Sequence, residues 1–212
     1  MCVSMKSVKL NNKCFTPSKI ICIGRNYVEH IEELGNEVPE ELVVFLKPNS
    51  AISEQLQSFH QEALHYEAEL CFLYQKNTGE QGKFIGVAVG LDLTKRNLQA
   101  KLKTKGLPWE RAKAFNGAAV FSEFKAIDSI SDDLSIELSI NDVITQAGGV
   151  ALMMVKPDDI LIQLNSFLDL EDGDIVMTGT PKGVGQIKSG SKFSAKVLSH
   201  GEELICASWI AN

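Results

Sequence analysis

Residues 65–74 read HYEAELCFLY, a segment rich in aromatic and β-forming residues that carries glutamate at two alternate positions. This composition favours a β-strand, in which residues two apart point to the same side. Glu67 and Glu69 are therefore expected to share one face of the strand, with Tyr66, Ala68 and Leu70 on the other. Apolar β-type runs of the same kind recur before and after this segment, so a sheet is expected around it.

Strands outnumber helices in the pattern, and the helices are short. Further strands are predicted at residues 20–23, 42–46, 84–93, 134–143 (with a turn at Asn141-Asp142), 174–178, 191–198 and 204–209. Helices are predicted at residues 26–34 (with Asn26 as the N-cap), 94–105 and 157–168. These elements do not alternate as β-α-β units, so we expect a β-rich α+β fold rather than a doubly wound sheet. Residues 1–18 are expected to form an N-terminal arm or edge strand before a single domain over residues 19–212.

Composition narrows the classes of partner. The chain has 212 residues and a net charge of −6, whereas nucleic-acid binding needs clustered Lys and Arg, so no nucleic-acid partner is expected. No membrane segment or secretion signal is expected either, because no apolar run approaches the roughly 20 residues of a membrane helix. Five cysteines without a C-x-x-C pair indicate reduced thiols and a cytoplasmic protein.

Three carboxylates suggest a metal site. Glu67 and Glu69 would repel one another on one face of a strand, and a divalent cation would relieve that repulsion. Asp92 follows the apolar run at residues 85–91 and offers a third oxygen ligand. Mg²⁺ prefers such ligands. The alternative is an E-x-E pair on a solvent-facing strand and an aspartate that serves as a turn residue or helix cap.

His30 and Glu33 are three residues apart in a predicted helix and therefore project from one face. A carboxylate beside a histidine orients the ring and raises its basicity, which is a common arrangement for a general base. The alternative is an acidic surface helix on which His30 is one more exposed polar residue.

Residues 177–185 form a segment rich in glycine and threonine after an apolar strand. Its backbone, hydroxyls and lysine could hold a carboxylate or phosphate, although it lacks the order of a P-loop. The alternative is a polar turn between strands. Arg25, Lys47 and Lys113 are isolated cations beside apolar residues, and each could lie on the surface or face an anionic substrate.

Taken together, these segments resemble the fumarylacetoacetate hydrolase family, in particular its short acylpyruvase and oxaloacetate-decarboxylase branch. The likeness covers about residues 19–198. The matching segments are, in chain order, Ile23-Gly24-Arg25-Asn26-Tyr27 with His30, Phe45-Leu46-Lys47-Pro48, residues 65–70, Gly90-Leu91-Asp92-Leu93-Thr94, Lys105-Gly106-Leu107-Pro108-Trp109 with Lys113, and Gly173-Asp174-Ile175-Val176 leading into residues 178–185.

The resemblance implies a mixed β-roll fold with short helices, one catalytic domain over residues 19–212, and a homodimer. It also implies one divalent metal per subunit, Mg²⁺, with Mn²⁺ or Ca²⁺ able to replace it. The implied metal ligands are Glu67, Glu69 and Asp92. The implied catalytic residues are His30 and Glu33 on a mobile lid helix, which activate water, and Lys113, which contacts the substrate or its enolate. The implied contacts to the substrate carboxylate are Arg25, Gln99 and Thr180.

The resemblance further implies a magnesium-dependent hydrolase that cleaves a C–C bond in an acylpyruvate-type 2-oxo acid through a pyruvate enolate stabilised by the metal. The alternatives on the same site are oxaloacetate decarboxylation and 2-oxo acid tautomerisation or isomerisation. A non-catalytic family member is a further alternative. Its support is one departure from the family pattern, since Gly148, Gly149, Val150 and Ala151 replace polar turn residues between Gln146 and Met153.

Overall fold

The computed structural model describes residues 5–77 and 80–212, so the first four residues of the predicted arm lie outside the described residues. The helices are α1 (Val28–Glu33), α2 (Arg96–Thr104), α3 (Glu110–Lys113) and α4 (Pro157–Leu164). The strands are β1 (Val8–Leu10), β2 (Lys13–Phe15), β3 (Lys19–Gly24), β4 (Val43–Pro48), β5 (Ile52–Ser53), β6 (His65–Tyr66), β7 (Ala68–Asn77), β8 (Glu80–Asp92), β9 (Ala119–Phe121), β10 (Lys125–Ala126), β11 (Ser135–Ile140), β12 (Val143–Gly149), β13 (Ile175–Met177), β14 (Gly185–Gln186), β15 (Lys192–Ser199) and β16 (Glu202–Ile210). Short 3₁₀ turns lie at Asn49–Ala51 and Val150–Leu152.

The large sheet has eight strands in the order β4-β3-β13-β7-β8-β9-β5, with β10 paired to β8. It is mixed, because β13 runs parallel to β3 and β5 runs parallel to β9, while the other neighbours are antiparallel. Strand β7 lies near the centre, with Cys71 opposite Met177 on one side and Ala88 on the other. Its near-continuous apolar run suits a strand that is buried on both faces.

Two apolar layers cover the two faces of this sheet. On one face, Phe72 and Val89 share a core with Leu138 of an antiparallel sheet of order β12-β11-β15-β16 and with Ile160 of α4. On the other face, alternate residues such as Cys22 and Leu73 pack against the hairpin β1-β2 and Phe124. The period-two alternation of the strands thus assigns neighbouring residues to different cores.

The expectation of a β-rich α+β fold with short helices is confirmed. One expectation is wrong in detail: α1 begins at Val28, after Tyr27, and Asn26 does not cap it. The amide of Asn26 is instead buried and donates to the carbonyl oxygens of Val155 (3.0 Å) and Thr178 (2.9 Å). Helix α2 also begins two residues later than expected and α4 ends four residues earlier. Within the described residues, no helix is long and apolar enough to cross a membrane.

The strand directions bring the predicted site residues to one edge of the large sheet. The carboxyl ends of the parallel strands β3 and β13 meet there, and the antiparallel partner β7 begins there. Strand β8 is antiparallel to β7, so it ends at the same edge with Asp92. Helix α1 follows β3, while α2 and α3 follow β8, and all three therefore border this edge.

Candidate active site

Glu67, Glu69 and Asp92 form a compact buried group. Each offers a carboxylate oxygen, and these oxygens lie within 4.8 Å of one another. The exposed fractions of the three residues are only 6%, 2% and 0%. Glu69 and Asp92 belong to β7 and β8, whereas Glu67 occupies the irregular residue between β6 and β7 and its carbonyl accepts from the Asp92 N–H at 2.8 Å. The expectation that one continuous strand would align the two glutamates is therefore wrong, although both reach the same group.

Three cations surround this group. Lys113 Nζ lies 2.6 Å from Glu67 Oε2, 2.7 Å from Asp92 Oδ2 and 2.6 Å from Thr94 Oγ1. Lys47 Nζ lies 2.8 Å from Asp92 Oδ1 and donates to the carbonyl oxygen of Lys113. Arg96 donates to Glu67 Oε1. Glu69 differs from its two neighbours, because its carboxylate accepts a hydrogen bond from the neutral N–H of Gly179, at 2.7 Å.

The electrostatics of the two glutamates follow from these contacts. Burial raises the pKa of Glu69 well above its usual range, and the negative charges of Asp92 and Glu67 raise it further. Burial also opposes ionisation of Glu67, but the charges of Lys113 and Arg96 outweigh it and hold the pKa of Glu67 well below its usual range. Burial lowers the pKa of Lys113, but Asp92 and Glu67 outweigh that effect and raise it overall.

The donor set fits a divalent cation. Three carboxylates at this separation supply hard oxygen ligands, which Mg²⁺ and Mn²⁺ accept. Asp92 Oδ1 is buried and accepts no well-aligned hydrogen bond from the described residues, although Lys47 is close to it. The roles of Glu67, Glu69 and Asp92 as ligands stay a prediction, which the geometry allows.

Helix α1 borders the site, and its residue His30 is buried and lines the cavity. His30 Nδ1 lies 3.3 Å from Glu33 Oε2. Glu33 also accepts from the N–H of Gly183 at 3.0 Å and 3.2 Å through its two oxygens, which ties α1 to the glycine- and threonine-rich segment. Burial lowers the pKa of His30, although Glu67 and Glu33 partly oppose this. His30 is therefore not a surface residue of an acidic helix.

A small cavity of about 50 Å³ joins these residues. Arg25, Gln99 and Thr180, the predicted contacts to the substrate carboxylate, all line it. The other lining residues are Ile23, Gly24, His30, Leu34, Asn36, Phe45, Glu67, Glu69, Asp92, Arg96, Lys103, Trp109 and Lys113. All nine predicted site residues except Glu33 therefore border one space, and Glu33 contacts His30 just behind it.

The backbone of Arg25 is unusual. Its φ of +56° lies in the left-handed region, which a residue with a side chain occupies at a cost of about 1 kcal/mol. Residues in such conformations cluster at binding and active sites. Arg25 is the first residue after β3, and it borders the cavity.

The segment after β13 is held by internal hydrogen bonds. Thr180 Oγ1 donates to the Ala68 carbonyl at 2.9 Å, and Gln146 Nε2 donates to Thr180 Oγ1 at 2.8 Å. Gln146 Oε1 in turn accepts from the Ala68 N–H at 2.9 Å. The segment that departs from the family pattern thus begins with a buried glutamine that positions Thr180, and its altered residues, Gly148 to Ala151, do not line the cavity.

Sequence reasoning missed three residues of this arrangement. Arg96 pairs with Glu67, Lys103 borders the cavity, and Gln146 holds the backbone of Ala68. Arg96, Gln99 and Lys103 are spaced i, i+3 and i+7 on α2, and this spacing was the available signal for a shared face. Gln146 was named only as one end of the turn that departs from the family pattern, and no local pattern indicated its contacts, because its partners are 34 and 78 residues away in the chain.

Comparisons with known proteins agree with this geometry. The sequence profile of the family described as fumarylacetoacetate (FAA) hydrolase, C-terminal, matches residues 19–208. An oxaloacetate tautomerase of Escherichia coli (strain K12) is 36% identical over 196 residues, which cover 86% of this chain and 90% of the relative.

Solved structures show the same similarity. A protein of the fumarylacetoacetate isomerase/hydrolase type from Oleispira antarctica has a TM-score of 0.92 at 32% identity, covering 98% of this chain and 100% of that one. Fumarylpyruvate hydrolase from Pseudomonas aeruginosa, solved with Mn²⁺ and pyruvate, has a TM-score of 0.87 at 26% identity, covering 100% and 97%. The resemblance inferred from the motifs is thus confirmed, and the chain belongs to the fumarylacetoacetate hydrolase family.

Proposed function

We propose that this chain is a divalent-metal-dependent enzyme that interconverts the keto and enol forms of a small 2-oxo acid of the oxaloacetate type. The observation that carries the proposal is the convergence of a buried three-carboxylate group and a buried histidine on one small cavity. The curated relatives favour tautomerisation over the C–C hydrolysis that the sequence placed first, since several of them are named oxaloacetate tautomerases.

Glu67, Glu69 and Asp92 would hold the metal, and we propose Mg²⁺, with Mn²⁺ or Ca²⁺ able to replace it. Mn²⁺ is the ion named with the fumarylpyruvate hydrolase of Pseudomonas aeruginosa. A divalent cation at this position supplies Lewis-acid polarisation of the 2-keto oxygen. Lys113 would add a positive charge on the same side, because its Nζ lies within 2.7 Å of two of the three carboxylates.

His30 would move the proton. Its lowered pKa leaves the ring neutral near pH 7, as a general base requires. When Nδ1–H donates to Glu33, the lone pair remains on Nε2, which can accept a proton from C3 of the keto form and return one to the enolate oxygen. Glu33 is held in turn by the Gly183 N–H, so the ring has a fixed orientation.

Arg25 and Gln99 would orient the substrate through its carboxylates, since both line the cavity that Glu67, Glu69 and Asp92 also border. Thr180 would act chiefly through its backbone position, because its hydroxyl already donates to Ala68. Helix α1, tied down through Glu33, would exclude bulk water while the proton is transferred.

Hydrolysis of an acylpyruvate is a second candidate. It is favoured by the similarity to a fumarylpyruvate hydrolase and by a His30–Glu33 pair that could equally activate a water. Decarboxylation of oxaloacetate would use the same polarised keto group. A homodimer remains part of the proposal on the family resemblance alone, and a cytoplasmic location remains part of it on the cysteine pattern.

The test is turnover by the purified chain of enolic oxaloacetate and of acetylpyruvate, each with Mg²⁺ and with chelator. Rates are corrected for the same metal without protein. We expect metal-dependent decay of the enol that is faster than pyruvate release from either substrate. His30→Ala should lose this enol decay, whereas Glu202→Gln, an exposed control on β16, should keep it. Pyruvate and acetate as the main products would instead favour hydrolysis, while inactivity of the wild-type chain on both substrates would favour a non-catalytic member.

A further inference from the structure

Helix α2 presents a line of polar side chains to the cavity. Arg96, Gln99 and Lys103 lie on one face of this helix and all border the cavity. Arg96 and Gln99 are already engaged, because Arg96 donates to Glu67 and, at 2.8 Å, to Gln99 Oε1. Lys103 lies one helical turn beyond Gln99 and is half-buried. It is therefore farther along α2 than Arg96, which contacts Glu67.

Two of the cations that border the cavity have no acidic partner. Within the described part of the chain, neither Arg25 nor Lys103 forms an ion pair, in contrast with Arg96 and Lys113. Lys103 Nζ donates instead to the neutral Oδ1 of Asn36 at 2.6 Å, and Arg25 makes a long contact of 3.5 Å with the Glu37 carbonyl. Two half-buried positive charges beside one cavity are suited to bind an anion.

The two cations also act on each other. Burial lowers the pKa of Lys103, and the positive charges of Arg25 and Arg96 lower it further. This mutual repulsion would be relieved by a negative group placed between them. Glu67 offsets this repulsion only in part, because its ion pairs are with Lys113 and Arg96.

We infer that Lys103, together with Arg25, binds the second carboxylate of a dicarboxylic 2-oxo acid and is a specificity-determining residue of this site. The inference rests on the proposed function, in which the 2-oxo acid end faces Glu67, Glu69 and Asp92. The opposite end of a four-carbon diacid then points toward α2 and the segment after α1. Asn36 fixes the ammonium of Lys103 for this contact through its amide oxygen.

The test compares two substrates that differ only at the distal end. Oxaloacetate carries a carboxylate there, and 2-oxobutyrate carries a methyl group. Enolisation of both is followed as hydrogen exchange at C3 in D₂O by NMR, with Mg²⁺ present. Lys103→Gln should raise KM for oxaloacetate about tenfold, since a charge-assisted contact at a half-exposed site is lost. It should leave kcat for oxaloacetate and both constants for 2-oxobutyrate within about twofold.

Two further variants separate charge from structure. Lys103→Arg should restore most of the selectivity, because it keeps the charge. Lys101→Gln removes the same charge from an exposed position of the same helix and should change KM and kcat for neither substrate. Equal losses on both substrates in Lys103→Gln, or no loss on either, would overturn the inference.

A binding measurement keeps this test separate from the proposed function. Calorimetry of the Mg²⁺-loaded protein with malate and with 2-hydroxybutyrate needs no turnover. We expect wild-type protein to prefer malate by about tenfold and Lys103→Gln to lose that preference. If the wild-type chain prefers malate but is inactive, tautomerisation is refuted while the inferred carboxylate-binding subsite is supported. Absence of the preference in an active wild-type chain would refute the subsite alone.

Discussion

Replacing Glu69 by Gln should have opposite effects on the metal-free and the metal-loaded protein. In the metal-free protein, the Glu69 carboxylate is buried beside two other carboxylates and its pKa is raised well above the usual 4.5. The unfolded chain therefore releases this proton at a lower pH than the folded protein. Stability falls as the pH rises above about 4.5, toward the raised folded-state pKa. Gln carries no charge, so the variant should escape this loss.

Two independent arguments give the size of the effect. Unit charges 4.8 Å apart repel by about 3 kcal/mol at an effective dielectric constant of 20, and the Gly179 N–H and the charge of Lys113 offset only part of the repulsion on Glu69. Protonation sets an upper limit. Between the usual pKa of 4.5 and pH 7, the carboxyl cannot cost more than about 3.4 kcal/mol, at 1.36 kcal/mol per pH unit. We expect Glu69→Gln to stabilise the metal-free protein by about 1–3 kcal/mol.

The assay is thermal unfolding in chelator and in excess Mg²⁺, between pH 4.5 and pH 8. For a chain of 212 residues, 1 kcal/mol corresponds to roughly 2–4 °C in Tm. In chelator at pH 7, Glu69→Gln should therefore melt several degrees above wild type, and the difference should shrink toward pH 4.5. Excess Mg²⁺, at 100 times its Kd, should stabilise wild type by about 2.7 kcal/mol and the variant by almost nothing.

Glu202→Gln is the matched control, because it removes a carboxylate from an exposed position of β16. It should change neither Tm nor its response to metal. The reasoning would be refuted if metal-free Glu69→Gln melted below wild type, or if it kept the full rise in Tm with Mg²⁺.

The remaining predictions concern the surroundings of the site. Asp174→Asn should lower the free energy of unfolding by about 2–4 kcal/mol, measured in urea. The buried Asp174 carboxylate accepts from the N–H and hydroxyl of Ser18 and from the N–H groups of Lys19 and Glu171, and it pairs with Lys19 Nζ at 2.6 Å. A loss under about 0.5 kcal/mol would contradict this. For tautomerisation, kcat/KM should be flat above pH 6.5 and should fall at more acidic pH. The reason is that burial lowers the pKa of His30 from 6.5 and only the neutral ring accepts a proton. A fall in kcat/KM centred above pH 6.5 would argue against His30 as the general base. Gly183→Ala should lower both stability and activity, since its φ is +98° and a Cβ would lie 2.1 Å from the Thr145 carbonyl oxygen. Gly190→Ala, at φ +81° in open space, should show only the backbone cost of about 1 kcal/mol, and equal effects of the two substitutions would count against the packing argument.

The sheet could be predicted from the sequence because its signals are local. Apolar runs such as residues 20–23 and 84–93 contain their own strand pattern, and the structure places strands there. The turn at Asn141 and Asp142 is also local, since both residues adopt positive φ between β11 and β12. Asn26 misled for the opposite reason. Asparagine is a good cap, but buried carbonyl groups of Val155 and Thr178, far along the chain, bind its side chain instead.

The site could be predicted in part. The residue types of Glu67, Glu69 and Asp92 indicated a metal, yet only the pairing of β7 with β8 brings Asp92 to the two glutamates. The sequence left open whether His30 is exposed or buried. Which face of a six-residue helix is buried depends on the elements that pack against it, and the sequence pattern does not show these. Lys47 illustrates the same limit: an isolated lysine in a strand proves to be fully buried against Asp92.

The most direct test is a metal titration of oxaloacetate tautomerisation by the chelator-treated protein, with the metal-only rate subtracted. Mg²⁺ or Mn²⁺ should restore activity to a plateau at one equivalent per chain when the protein concentration is well above Kd, and Glu69→Gln should stay inactive throughout. Full activity in chelator, or equal activity of wild type and Glu69→Gln at every metal concentration, would contradict a metal-dependent 2-oxo acid enzyme built on Glu67, Glu69 and Asp92.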